Sequence, residues 1–303
     1  MAKFLIRRVI SMLLALFVVV TLTFFLMNLV PGGPFNLENI SSKASATLEA
    51  KYGLDKPLFE QYLDYLSDLV HGDLGVSIKK VGYTVNEIIG EKFPVSASLG
   101  AVAIAISVIV GFPMGILAAM NHNKAIDRVI MFACTIGVSV PSFIVATLLL
   151  YVFGLTLGIL PTMRLNSPAS YVMPSIALAL SPLSYIARLT RSSMLEALDQ
   201  DYIKTARAKG MGKLVVVGKH ALRNSVIPVI TYMGPMVAGV LSGGFVIENI
   251  FSIPGLGKYF VESITARDYP LIMGTTIFYA TLLLVMNTLV DLLYKVVDPR
   301  IEL

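Results

Sequence analysis

The chain is 303 residues long, 56% hydrophobic and only 14% charged, with a formal net charge of +5. Ordinary soluble domains carry about 25% charged residues, so this composition excludes a protein with an all-aqueous surface. A positive charge of this size is too diffuse to suggest a nucleic-acid binder, and one cysteine, Cys134, excludes an intrachain disulfide framework and any multi-cysteine metal site.

Crossing a hydrocarbon core about 30 Å thick takes roughly 20 apolar residues in a helix. The first such block, Val9 to Val30, follows Lys3, Arg7 and Arg8. A signal peptide begins in the same way, but this run is too long. Pro31-Gly32-Gly33-Pro34 follows it where a small-residue cleavage site would stand, which favours a retained helix. Further blocks span Val95 to Met120, Val129 to about Leu157, Tyr171 to Ala187, Ser225 to Ile247 and Pro270 to about Leu293.

The fourth block is short and contains Pro174 and Pro182, yet the charge distribution requires it. Arg188, Arg191, Lys204, Arg207, Lys209, Lys213, Lys219 and Arg223 follow it, against Glu196, Asp199 and Asp201. Basic loops are retained in the cytoplasm. Six spans put this loop, the turn Lys124 to Arg128 and both termini inside; five would export the most basic loop. The expectation is an all-α integral membrane protein with six transmembrane helices. Its outer parts are residues 31–94, 158–170 and 248–269. Within the first, Leu58, Phe59, Tyr62, Tyr65, Leu66 and Leu69 recur at helical spacing and predict a short helix over 58–70, for which packing against the bundle is a simpler role than a partner surface.

The centres of the six blocks hold no Asp, Glu, Lys or Arg, and Asp291 lies near the end of the last. Intramembrane charges mark proton relays and ion-coupled pumps, so their absence weighs against those mechanisms. His71, His122 and His220 fall in separate segments without metal-site spacing and read as ordinary loop histidines, while Cys134 reads as a packing residue. The Gly-Lys pairs at Gly212, Gly218 and Gly257 are preceded five residues earlier by Arg207, Lys213 and Ser252, and none is followed by Ser or Thr. They are not phosphate-cradling loops, so nucleotide-driven work would belong to another chain. Pro228, Gly234, Pro235, Gly239, Gly243 and Gly244 crowd one span. Tight packing and a hinge or pathway wall both accommodate such a run.

The basic loop is the most informative segment. Leu195, Leu198, Tyr202 and Ala206 recur at three- and four-residue spacing and would share one helical face. Asp199 or Asp201 would cap the N-terminus of the final turns, and Gly210 suits the left-handed position past the end. Lys204, Arg207 and Lys209 complement the helix dipole. So short a helix must dock on something. An anionic lipid surface and a groove on a soluble partner, approached closely at the small Ala206 and Ala208, both fit.

Asp201-Tyr202-Ile203-Lys204-Thr205-Ala206-Arg207-Ala208-Lys209-Gly210, followed by His220-Ala221-Leu222-Arg223-Asn224, resembles the coupling loop of peptide-type ABC importer permeases. Pro31-Gly32-Gly33-Pro34-Phe35, Tyr52-Gly53-Leu54-Asp55-Lys56-Pro57, Ser139-Val140-Pro141-Ser142-Phe143, Ile250-Phe251-Ser252-Ile253-Pro254-Gly255-Leu256-Gly257, Arg267-Asp268-Tyr269-Pro270 and Asp298-Pro299-Arg300-Ile301 extend the resemblance over essentially the whole chain. Within the family it is most similar to the class forming the first membrane subunit of oligopeptide permeases. The resemblance implies a type I importer permease (MetI-like) fold. It divides the chain into 1–94, the first helix and outer loop; 95–295, the transmembrane domain with coupling loop 188–224; and 296–303, a cytoplasmic tail.

It further implies a second homologous permease subunit, two ATPase subunits binding ATP and Mg outside this chain, an external solute-binding lipoprotein and a peptide cargo. Asp201, Tyr202, Thr205, Ala206, Arg207, Ala208 and Gly210 would form the ATPase-coupling contact. The wider importer pattern reads Glu-Ala-Ala, three residues, Gly, nine residues, then Ile-x-Leu-Pro. Here Lys204-Thr205-Ala206, Gly210, His220, Leu222 and Arg223 stand in those places, with the next proline at Pro228. The contact made elsewhere by the acidic residue does not transfer. Related permeases carry dipeptides, glutathione, nickel or metal chelates, which are the nearer alternatives. An intramembrane enzyme or receptor is the alternative of a different class.

Overall fold

A computed structural model describes residues 2–29, 53, 55–212, 215–242 and 244–297. Pro31 to Phe35, Tyr52, Leu54, Gly243 and Asp298 to Ile301 therefore lie outside the described residues, as does the tail beyond Val297. The described chain is helical, with a lone antiparallel bridge between Val76 and Thr84. In chain order the elements are α1 (Ala2–Leu29), α2 (Leu58–Val70), α3 (Val85–Met120), α4 (Ala125–Ser139), α5 (Ser142–Leu149), α6 (Val172–Asp199), α7 (Asp201–Ala208), α8 (Leu222–Ser242), α9 (Phe245–Ile250), α10 (Leu256–Ala266) and α11 (Tyr269–Val297). A π-helical stretch, Leu150–Thr156, continues α5, and another, Val216–Ala221, leads into α8.

Among the described residues, five segments are long and apolar enough to cross a membrane: Ile6–Leu29, Val85–Met120, Pro168–Asp199, Ser225–Ile250 and Tyr269–Leu292. The third expected span, Val129 to about Leu157, is not one straight helix. Ala125–Ser139 and Ser142–Thr156 meet at 100°, because Pro141 supplies no N–H and drives Val140 into an extended conformation (φ −86°, ψ 121°). Other boundaries also move. The second span begins at Val85 rather than Val95, and its 36 residues make a rod of about 54 Å, far longer than a bilayer core. The fourth does not stop at Ala187 but runs to Asp199.

The chain divides into two compact units, residues 1–94 with 255–282 and residues 95–254 with 283–303. In the first, Val20 and Phe24 of α1, Tyr62 of α2, and Met273 and Ile277 of α11 form one core. The amphipathic segment of the sequence is thus a helix with the expected bounds. Tyr62, Tyr65, Leu66 and Leu69 turn to the core, whereas Leu58 and Phe59 are exposed. Its Tyr62 hydroxyl meets Thr21 Oγ1 at 2.7 Å. A second core joins Val85, Ile88 and Ile89 to Leu256 and Leu271.

In the second unit α6 is the central element. Lipid is as apolar as leucine, so membrane helices associate through close packing, which small residues permit. A Cβ on Gly111 would lie 2.6 Å from the Leu183 carbonyl oxygen. On Gly115 it would lie 2.5 Å from that of Ala187, and on Gly137 2.2 Å from Ser184 Oγ. Both α3 and α4 are therefore pressed directly onto α6. Buried Cys134 sits in α4, consistent with a packing role.

Candidate coupling site and exposed polar face

The loop expected to couple to a partner does not hold one continuous helix. Gln200 is extended (φ −69°, ψ 151°), so α6 ends at Asp199 and α7 begins at Asp201. Leu195, Leu198, Tyr202 and Ala206 therefore do not share the face of one helix, although three of them meet in one core. Leu195 and Leu198 pack in the core, Ala206 is buried at 5% exposure, and Tyr202 is 39% exposed. The N-cap is Gln200 without a side-chain cap bond, so neither Asp199 nor Asp201 caps the helix. Asp201 instead lies in the first turn, 2.9 Å from Lys204 Nζ, and its carbonyl accepts from the Thr205 hydroxyl at 3.0 Å.

At the other end Gly210 takes φ +78°, a conformation that a Cβ disfavours. Its N–H donates to the Arg207 carbonyl at 2.9 Å, and the Met211 N–H to that of Ala206 at 3.3 Å. These two bonds form a Schellman ending, and Met211 packs against the core below. That core joins Ile203 and Ala206 to Ala119, Met194, Ala197, Val216, Val217 and Ala221. Ile203 and Ala206 hold α7 down, while Asp201, Tyr202, Lys204, Thr205, Arg207, Ala208 and Gly210 stay exposed. Of the seven expected coupling residues, Ala206 alone faces inward; its small side chain allows α7 to approach its own scaffold.

The proline- and glycine-rich run separates into different environments. A Cβ on Gly234 would stand 2.9 Å from Val290 Cγ2, so this glycine serves packing between α8 and α11. Gly244 is buried beside Glu248 Oε1, 3.4 Å from its ideal Cβ. Pro228 is half-buried, whereas Pro235 and Gly239 are exposed, and a Cβ on Gly239 would meet nothing. Thr231, Pro235 and Gly239 therefore form an exposed stripe of small and polar residues on α8. Beside it α6 exposes Ser181, Tyr185, Arg188 and Ser192. The two helices meet where the Tyr185 and Tyr232 rings stack, 4.2 Å between centroids and 30° between planes.

The exposed faces of α1 (Ile6, Leu13, Phe17) and α4 (Val129, Phe132, Ile136) are apolar by contrast. Hydrocarbon suits those faces. A guanidinium such as that of Arg188 is costly there, so the face of α6 and α8 is suited to water or protein.

Glu248 escaped the sequence reading. It is 1% exposed and accepts a 2.6 Å hydrogen bond from Ser96 Oγ. The fifth span extends through α9 to Ile250, so an acid expected at the start of a loop belongs to a helix. Its one signal was its position amid Phe245-Val246-Ile247 and Ile250-Phe251, an apolar setting that an exposed loop would not need.

Residues 111–303 match the model of the binding-protein-dependent transport system inner membrane component, and residues 1–100 match the model of the N-terminal part of such membrane components. The chain belongs to this family. It is 50% identical over 304 residues to the dipeptide transport system permease protein DppB of Bacillus subtilis (strain 168), covering 100% of this chain and 99% of that protein. It is 43% identical over 305 residues to the oligopeptide transport system permease protein OppB of Salmonella typhimurium, covering 100% of both. A structure of the MetNI methionine ABC transporter in inward-facing conformations superposes with TM-score 0.56 at 16% identity, covering 70% of this chain and 96% of that one. An amino acid ABC transporter does so with TM-score 0.56 at 19% identity, covering 69% and 94%.

This inner membrane component therefore has the MetI-like permease fold that its sequence led us to expect. It is a multi-pass transporter permease subunit, and the enzyme or receptor alternative gives way. Membership also implies ATPase and solute-binding partners in general terms.

Proposed function

We propose that this subunit conducts oligopeptides across the inner membrane, driven by two ATPase subunits that bind ATP and Mg on its cytoplasmic side. A second homologous permease subunit completes the pathway, and an external solute-binding lipoprotein delivers the cargo. Both termini and loop 188–224 are cytoplasmic on this reading, supported by the concentration of Lys and Arg in that loop. The observation that carries the coupling assignment is α7 itself. A helix anchored through Ile203 and Ala206 and ended at Gly210 leaves Tyr202, Thr205 and Ala208 on an outward surface. The exposed polar face of α6 and α8, with Pro235 and Gly239, is the pathway wall in this reading.

Dipeptides are the second reading of the cargo, favoured by the 50% identity to a dipeptide permease. Affinity purification of the intact complex, with identification of its subunits and bound solute, tests all of this. Two ATPases, a second permease and a bound peptide are expected. Recovery of the chain alone would overturn the reading, and the length of the bound peptide decides between the cargoes. A topology reporter fused at Gly210 should respond as cytoplasmic; an external response removes the coupling assignment.

A further inference from the structure

His122, expected to be an ordinary loop histidine, stands in a compact polar network at the junction of α3, α4 and α6. Arg191 Nε donates to Asp127 Oδ1 at 2.6 Å, and its Nη2 to Oδ2 at 2.8 Å. This is the two-pronged pairing that a guanidinium makes and an ammonium does not. The same Nη2 lies 3.1 Å from His122 Nδ1. Arginine only donates, so Nδ1 accepts. The Asn123 N–H gives Asp127 Oδ2 a further bond at 2.8 Å, with Asn123 itself in the left-handed region at φ 63°. Asp127 is 2% exposed.

The placement of this network gives it mechanical meaning. Asp127 belongs to the first turn of α4, and His122 and Asn123 to the turn that joins it to α3. Arg191 lies on α6 just beyond the residues pressed by Gly111, Gly115 and Gly137. Downstream, α6 carries Met194 and Ala197 into the core that seats α7. A displacement applied at α7 thus enters α6 beside Arg191, where a rigid clamp fastens it to α3 and α4. The core that seats α7 already includes Ala119 of α3, so it is the turn after α3 and the first turn of α4 that would be free to lag behind this end of α6 without the clamp.

We infer that Asp127 and Arg191 are positioning residues that transmit the movement of α7, through α6, to the start of α4, linking ATP hydrolysis to opening of the pathway. The inference rests on the coupling role proposed for α7. Because the pair acts as one clamp, losing either member or both has the same effect on coupling, a non-additivity expected of groups in direct contact.

The test uses the complete complex, with both permease subunits, ATPases and binding protein, reconstituted in phospholipid vesicles. Asp127→Asn, Arg191→Gln, the double variant and Arg191→Lys are compared with the wild type. The readouts are recovery of ATPases with the chain, ATP hydrolysis with and without binding protein supplied with trialanine, and trialanine uptake. ATPase recovery is expected to stay normal, while stimulation by the binding protein and uptake per ATP fall about tenfold, within the range of known site-to-site couplings. The double variant should match either single one, and Arg191→Lys should lie between them and the wild type.

Coupling within about twofold of wild type, or losses that add in the double variant to that precision, overturns the inference. So does failure of every variant to insert and bind ATPases, which would make the pair a folding strut. If the wild-type chain itself brings down no ATPase, the coupling role of α7 fails and the inference falls with it. Normal ATPase recovery with unchanged coupling removes the clamp alone.

Discussion

The Ser77 hydroxyl donates a hydrogen bond to the Asp268 carboxylate across 191 residues of sequence. Asp268 also accepts from the backbone N–H groups of Ile78 at 3.1 Å and Lys79 at 3.2 Å. It lies 3.4 Å from that of Leu271 in the first turn of α11. One buried carboxylate therefore ties the loop before α3 to the start of the last helix. The motif Arg267-Asp268-Tyr269-Pro270 places it there. Arg267 turns the chain at φ 57° and closes α10.

Asp268→Ala should destabilise the chain by about 2–3 kcal/mol, because it strands buried N–H donors. Ser77→Ala should cost about 1 kcal/mol, the net worth of one hydrogen bond. Thermal unfolding of the purified chain in detergent measures both. An unchanged midpoint for Asp268→Ala would show that water satisfies those donors.

Two neighbouring alanines should respond in opposite ways. Ala208 is exposed, so Ala208→Glu should leave the unfolding midpoint unchanged and sharply reduce co-purification of the ATPases. Ala206 is buried among Ile203, Met194 and Val216, so Ala206→Leu should cost about 1–3 kcal/mol by overpacking. Equal stability of the two variants would contradict the orientation of α7.

Gly210→Ala should cost about 1 kcal/mol, since φ +78° suits glycine, and should speed hydrogen exchange over residues 201–208. Asn at this position should recover part of the loss, being tolerated in the left-handed region. Equal exchange in Gly210→Ala would mean that the Schellman ending does not hold α7.

Cysteine scanning separates wet from greasy faces. In a Cys134→Ala background, Ser181→Cys and Thr231→Cys should react with a charged maleimide in the assembled transporter, and Phe132→Cys should not. Gly234→Val should lower stability through the contact with Val290, while Gly239→Val should leave stability alone and slow uptake. Reaction at Phe132→Cys with none at Ser181→Cys would reverse the assignment of faces.

Much of the architecture was legible because it depends on local chemistry. Runs of apolar residues report spans regardless of what packs on them. The helix Leu58–Val70 was visible in its spacing, and the left-handed Gly210 in its place after a basic turn. A helix start near Asp199 or Asp201 was legible, within one residue of the cap at Gln200, but the bend there was not, since nothing in Leu198-Asp199-Gln200-Asp201 forbids a continuous helix. The core that receives Ile203 and Ala206 makes the bend favourable. Pro141 gave a break signal, but its 100° bend depends on what the two halves pack against.

The sequence by itself determined that this is a polytopic helical membrane protein, where its apolar segments lie, and through its motifs which family it belongs to. Those features follow from composition and order along the chain. Tertiary structure alone decided which side of α7 is free, and that Gly234 packs while Gly239 is open. It also brought Asp127 and His122 to Arg191, 64 and 69 residues away. These are questions of which surfaces meet, and in a bilayer they are answered by the fit of small residues such as Gly111, Gly115 and Gly137, whose partner helices the order of residues along the chain does not name.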